Sequence, residues 1–338
     1  MALTKAHNRM IEGAYVNVKD FGATGDGSTD DTAAVQAAID AAVLGGVVYF
    51  PKGEYVVSSL TSGGPNKRFL GTNSGNSSNQ TSGSLFSSTI RFTETTNDAF
   101  TFSDVGFFSK NVVFENLGFQ ANTAGAVLSF DTYGEVRMND CLVNNLGTGD
   151  GVSLNEVYLI SFSDCFITKT GNIRQSGSAG VRIDNTGLGG IFNFFTSTVN
   201  QYGSGVAIDA LYNDGTQLES FNFIGSQANS NTVGLGLSGF LRSGTISGCY
   251  FEGNILASIQ MIQGVQNFAI QGCFFNDPGS TTADLRIGRS AIANDENVRN
   301  ISVEACHFAN INNVGVEVRA DPAFGGNILV KNCNFNEY

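Results

Sequence analysis

The chain has 338 residues, a formal net charge of −12 and only 14% charged residues, against roughly a quarter in an average globular protein. That length supports a sizeable core. The acidic balance, with no block of Lys and Arg, argues against a nucleic-acid partner or an anionic membrane surface. Forty-two glycines and four prolines, with abundant Asn, Ser and Thr, suit many short strands joined by tight turns.

In chain order, "MALTKAHNRMIEG" has no apolar h-region, so no secretory signal is expected. The longest apolar run, "AAVLGGVVYFP", is far too short to span a bilayer. Residues 15–60 read as an N-terminal cap of helix plus strands. Val35, Ala38, Ile39, Ala42 and Val43 share one helical face, Thr29 or Asp30 can N-cap it, and Gly45 and Gly46 stop it. Such a helix would cover the open end of a stack of strands. Residues 61–97 are polar and low in complexity. They read as a loose loop, with the first regular strand at "STIRF".

From residue 98 one phrase recurs. Alternating apolar residues lead into a small residue, and another apolar residue follows two positions later: "IQGCFFND", "ISGCYFEG", "VEACHFAN", "VKNCNFNE". The slot holds Leu117, Cys141, Cys165, Ser197, Ser226, Cys249, Cys273, Cys306 and Cys333, nine copies in steps of 23 to 33 residues that contain all six cysteines. Between copies lie segments such as "GVSL", "GVRI", "GVAI", "GLGL" and "GVEV". One unit cannot bury its own apolar face, but stacked units can, so the pattern predicts an all-β solenoid over 61–338. The slot then becomes an internal column of free thiols and their substitutes. CxxC spacing is absent and three copies carry non-ligands, which speaks against a metal site. Asparagines after the phrase (Asn144, Asn200, Asn229, Asn276, Asn336) suit left-handed turn positions.

The segments "VKDFGATGDGSTDDTAAVQAAID" and "GGVVYFPKGEYVV", followed by these repeats, resemble the pectate-lyase-like superfamily of right-handed parallel β-helices. With the leader they are similar to bacteriophage tailspike and tail-fibre proteins. That resemblance implies a virion-attachment leader at 1–14 and a homotrimer mounted with other tail proteins. It also implies a host-surface glycan as ligand, and it requires no cofactor. An unexported protein that leaves the cell by lysis fits this better than a cellular polysaccharide lyase or hydrolase does.

Chemistry on such a rod would sit on outward columns, and paired carboxylates are what glycoside hydrolysis needs. Asp184 and Asp209 end "GVRID" and "GVAID" at equivalent points of neighbouring coils. Asp131 ends "VLSFD" in the same column, with Asn155 between. Side by side, one carboxyl should keep its proton to higher pH, as a general acid must. The plainer reading is that these residues only cap turns. Glu252 and Asp277 form a second pair, one position out of register. Arg174 and Arg182 could bind an acidic sugar, or Arg182 could merely neutralise the column. Tyr133, Tyr158, Tyr202 and Tyr212 are expected to be exposed sugar platforms in a chain that lacks tryptophan.

The Gly-His-Gly and Arg-Ile-Lys motifs of pectin-hydrolysing relatives are missing, and the two histidines are His7 and His307. "NDEN" (294–297) and "DNTG" (184–187) are weak calcium candidates, so no metal is assigned. Near-uniform coils favour a competing reading, a non-catalytic receptor-binding or architectural virion protein. The final phrase "VKNCNFNEY" is a full repeat with no capping helix or trimerisation module after it. Another chain is expected to cover that end, unless the chain is a shortened one.

Overall fold

A computed structural model describes residues 15–336 apart from 44, 65, 73–86, 104–109, 171–173, 185–189, 211–219, 240, 263, 278–282, 289–297, 312–313 and 319–326. The chain winds as a parallel β-helix with three faces. Every described strand pairing is parallel and joins one coil to the next. Face I runs from Leu60–Ser62 through Phe100–Ser103, residues 128–131 and 152–155, Ala179–Asp184, Ser204–Ala210, Val233–Gly239, Ala257–Met261 and Ala283–Ile287 to Val314–Val318. Face II begins at Val16–Asn17 and ends at Ile328–Lys331, and face III runs from Asp26–Asp30 to Asn334–Phe335. The 12-residue strands Leu128–Asn139 and Val152–Ser163 each pass from face I to face II without a break.

The corners explain how short strands turn so tightly. Between faces II and III, the residue before every slot adopts left-handed geometry. These are Asn116, Asp140, Asp164, Thr196, Gly225, Gly248, Gly272, Ala305 and Asn332, with φ from 47° to 61°. Its N–H still donates to the next coil, as from Asp140 to the Ser163 carbonyl (3.0 Å) and from Gly225 to Ser247 (2.9 Å). Asn and Asp tolerate this region and glycine enters it freely, which accounts for much of the composition.

The slot residue then points inward. Cys165 donates to the carbonyls of Ser163 (3.3 Å) and Met138 (3.4 Å). Ser197 bonds the equivalent Phe195 and Phe162 carbonyls at 2.9 and 3.4 Å. Cys and Ser are therefore interchangeable because each offers a small donor, whereas size and apolarity alone predict no such bond. All six thiols are free. The asparagines that follow the phrase are not left-handed. That geometry falls one residue later, at Gln201, Ser230 and Asn310.

Inside, aromatic and branched side chains stack in register. Phe251, Phe275 and Phe308 form one buried column, continued by the exposed Phe335 of the last described coil, with ring centroids 5.0, 4.5 and 4.8 Å apart. Such offset stacks add to the burial of large apolar area.

The helix Thr32–Ala41 takes the place of a face I strand in the first coil. Val35, Ala38 and Ile39 pack on the core, while the Gln36 amide accepts from the Thr61 N–H (3.0 Å) and donates to its carbonyl (2.9 Å). One side chain thus supplies the bonds a neighbouring strand would give to the edge. Lys67 donates to the Ile39 carbonyl at the helix C-terminus (2.9 Å). The N-cap position falls at Asp31, not Thr29 or Asp30, and Val43 lies beyond the helix, 76% exposed. Strands also begin before "STIRF", at Leu60–Ser62 and Lys67–Gly71. Residues 1–14, read as an attachment leader, lie outside the described residues.

Candidate functional site

Face I presents two outward columns. The central one passes, coil by coil, through Ser129, Ser153, Arg182, Ala207, Gly236, Gln260 and Arg286. Beside it, paired in backbone register, run Asp131, Asn155, Asp184, Asp209 and Ser238, the side chain of Asp209 lying outside the described part of the structure. Asp131 and Asp184 are exposed, and Asn155 donates to Asp131 (2.8 Å). Asp184 and Asp209 are partners on hydrogen-bonded strands, about 4.8 Å apart along the backbone.

Two open cavities adjoin this surface and share Arg182. The first, about 410 Å³, is polar; Asp98, Asp150, Ser153, Gln175 and Ser178 are among the residues lining it. The second, about 280 Å³, is lined mainly by Ile183, Asp184, Ala207, Gly236, Ser238 and Ile262. Their linings step along the coils from Asp98 to Ile262, with Arg182 common to both.

Arg182 grips Asp150 with both nitrogens, Nε to Oδ2 at 2.6 Å and Nη2 to Oδ1 at 3.1 Å, and also donates to the Gly177 carbonyl. The bond to Asp150 raises the guanidinium's affinity for its proton, and the Asp184 charge adds to this. Asp150 further accepts from the Ala179 N–H (2.6 Å), and Asp98 from the Ala126 N–H (2.8 Å). Beneath the first cavity lies Lys169, fully buried, its Nζ on the Gly149 carbonyl (2.8 Å) and 5.1 Å from the centre of the Tyr202 ring. Burial lowers its pKa to about 8, with Asp150 pulling the other way. Sequence reading singled out none of Asp98, Asp150 and Lys169. The "TGDG" and "NDAF" segments containing the two acids look like ordinary turns until stacking sets them round one hollow.

Other sequence-predicted residues fall elsewhere. Arg174 is left-handed and reaches down a corner to the carbonyls of Ser230 (2.8 Å) and Gly253 (3.0 Å), tying coils together. Tyr133 and Tyr202 are not exposed platforms. Tyr133 packs on Phe102 and Phe130, and Tyr202 donates to the Thr168 carbonyl (2.8 Å), fully buried. Each follows a left-handed residue, Thr132 or Gln201, which reverses the inward–outward alternation. Tyr158 is 39% exposed, and Tyr212 lies outside the described residues.

Glu252 and Asp277 do not face each other across solvent. Glu252 is exposed and accepts from Asn276 (3.2 Å), whereas Asp277 points inward, 1% exposed. His307 stacks on Phe274 (5.0 Å) on the outside of face III, and His7 lies outside the described residues. Of the calcium candidates, 294–297 and 185–187 also lie outside them. No cluster of three or more His, Cys, Asp or Glu suited to a metal occurs among the described residues. Nor is any described helix long and apolar enough to cross a membrane.

The model of the rhamnogalacturonase A/epimerase, pectate lyase-like family matches residues 15–63. Among curated proteins, mannuronan C5-epimerase AlgE3 of Azotobacter vinelandii is 73% identical over 44 residues, 12% of this chain and 2% of that protein. Alginate lyase 7 of the same organism is 73% identical over 44 residues, covering 5% of its length. These matches span a very small part of the relatives. Among solved structures, ORF18 of Geobacillus virus E2 aligns with 97% of this chain and 64% of its own, at 20% identity and a TM-score of 0.59. Tailspike protein 2 of an Escherichia coli O157:H7 bacteriophage aligns with 96% of this chain and 42% of its own, at 14% identity and a TM-score of 0.50. The chain thus has the parallel β-helix fold of these solved structures, and its residues 15–63 match the pectate lyase-like family model.

Proposed function

We propose that the protein is a phage tail component, a trimer mounted with other tail proteins, that binds a host-surface polysaccharide along face I and cuts it. The observation that carries this reading is the pair of open cavities adjoining face I, which share Arg182, beside the backbone register of Asp131, Asp184 and Asp209. Cavities that step along the coils suit a long repeating ligand, because a regular chain can meet the same coil spacing several times. The mannuronan epimerase and alginate lyase among the curated relatives support a polysaccharide as the ligand class, and the shared fold of the phage tailspike is consistent with a tail component.

For cleavage, Asp184 and Asp209 are the pair of choice, since their backbones sit in register on adjacent coils, about 4.8 Å apart, as the two carboxylates of a retaining mechanism would require. One carboxyl would protonate the glycosidic oxygen as the C–O bond breaks. The other would attack the anomeric carbon, and water would then release the sugar. Arg182, fixed by Asp150, would orient the chain from the adjacent column of the same strand as Asp184.

A non-catalytic receptor-binding role is the second reading. It is favoured by the acids of the polar cavity, Asp98 and Asp150, each already bonded to a backbone N–H of the next coil. The test is incubation with purified capsule or lipopolysaccharide of the host, followed by sizing of the chains. Shortened chains with the native protein, and at least a hundredfold slower shortening with Asp184→Asn or Asp209→Asn, are expected. Binding without shortening would favour the second reading, and absence of binding to any host glycan would refute both.

A further inference from the structure

The central column of face I carries long side chains at Arg182, Gln260 and Arg286, yet Ala207 and Gly236 in the two coils between Arg182 and Gln260. Other glycines on this face are small for an internal reason. A Cβ at Gly205 would lie 2.4 Å from the Gly234 carbonyl oxygen, and one at Gly234 would lie 2.4 Å from that of Ser258. Gly236 has no such need. A Cβ there would meet nothing closer than the Val206 carbonyl oxygen at 3.8 Å, and its φ is not left-handed. Glycine inside a strand weakens it, because folding costs glycine more backbone freedom and it has no side chain to pack. Neither backbone nor core explains the residue, so the outside remains.

What the missing side chains leave open is the 280 Å³ hollow, about 14 Å long by the coil spacing. Its floor is apolar, from Ala207, Gly236 and Ile262, and its rim offers the Asp184 carboxylate, the Ser238 hydroxyl and the Arg182 guanidinium. An apolar floor with a few convergent polar groups is the make-up of a ligand site. It matches the two sides of a sugar ring, C–H groups below and hydroxyls at the edge.

We propose that Ala207 and Gly236 are specificity-determining residues, kept small so that pyranose rings of the bound polysaccharide seat between Arg182 and Gln260. This rests on the polysaccharide-binding reading above and adds to it where the rings lie and what excludes bulkier chains.

The test uses the full chain on an array of purified bacterial capsular and O-antigen polysaccharides, with any retained polysaccharide then titrated. Gly236→Arg, which fills the hollow, should lower affinity at least tenfold, while Thr245→Arg on the outside of face II should leave it unchanged. Gly236→Ala should leave the thermal midpoint unchanged or raise it. Undiminished binding by Gly236→Arg would overturn the assignment of the hollow while leaving polysaccharide binding intact. A lower midpoint for Gly236→Ala would also overturn it, since the glycine would then serve the backbone. Should the native protein retain no polysaccharide, the broader reading falls and takes this one with it.

Discussion

Asp277 and Asp284 show how one side chain can depart from a pattern that its neighbours obey. At the inner corner between faces III and I, buried amides bond coil to coil. Asn231 accepts from the Tyr202 N–H (2.9 Å), and Asn254 from the Asn231 N–H (3.1 Å). Asp277 occupies the next place, accepting from the Asn254 N–H (2.9 Å) and from the Ser258 hydroxyl. Asp284 is the register partner of Ser258, where earlier coils have glycine, and its Oδ2 has no partner among the described residues. Burial, with the Asp277 charge adding to it, pushes the Asp284 pKa up to about 8. Between the ordinary carboxyl range and that value the folded chain keeps a proton that the unfolded chain has lost, so stability falls as pH rises through this window. Asp284→Asn should remove most of that slope and stabilise the protein by a few kcal/mol at about pH 9. Urea unfolding at pH 5 and pH 9 checks this. A variant no more stable than the native chain at the higher pH would refute the account. None of this was legible from the sequence, where Asp277 reads as one of an external pair, because the direction of a side chain at a corner is set by its bonds to the neighbouring coil, here to Asn254 and Ser258, and not by strand alternation.

Among the elements, the slot strands were the most legible. Their phrase repeats nine times, and every copy occupies the same corner with the same left-handed residue before it. The Asp131–Asp184–Asp209 register was legible for the same reason: "GVRID" and "GVAID" align without a gap. The cap was read correctly as a helix, but its fastening was not. Asp31 spends its carboxylate on the preceding loop, accepting from the Thr24 N–H (2.7 Å) and hydroxyl (3.1 Å) and from the Gly25 N–H (3.0 Å). This fixes "ATGDG" against the helix start, a contact over six and seven residues that periodicity cannot show. Three bonds to one buried charge make it the anchor of the cap, and Asp31→Ala should cost on the order of 3 kcal/mol or more. A urea midpoint within experimental error of the native one would show that the loop holds itself.

For the whole molecule, stacking converts short-range sequence into long-range columns. The register that aligns the thiols also aligns the backbones of Asp131, Asp184 and Asp209 and brings Asp98, Asp150 and Arg182, from separate coils, round one cavity. Fold and register were therefore readable from the repeat, whereas the hollow was not, because it is made by what Ala207 and Gly236 lack. The account's central claim is that a polysaccharide lies along face I. Hydrogen exchange of the backbone with and without a retained polysaccharide measures this most directly. The account predicts slower exchange confined to the face I strands around residues 150–155, 179–184, 204–210 and 233–239. Protection on face II or III instead, or none on face I at saturating polysaccharide, would contradict it.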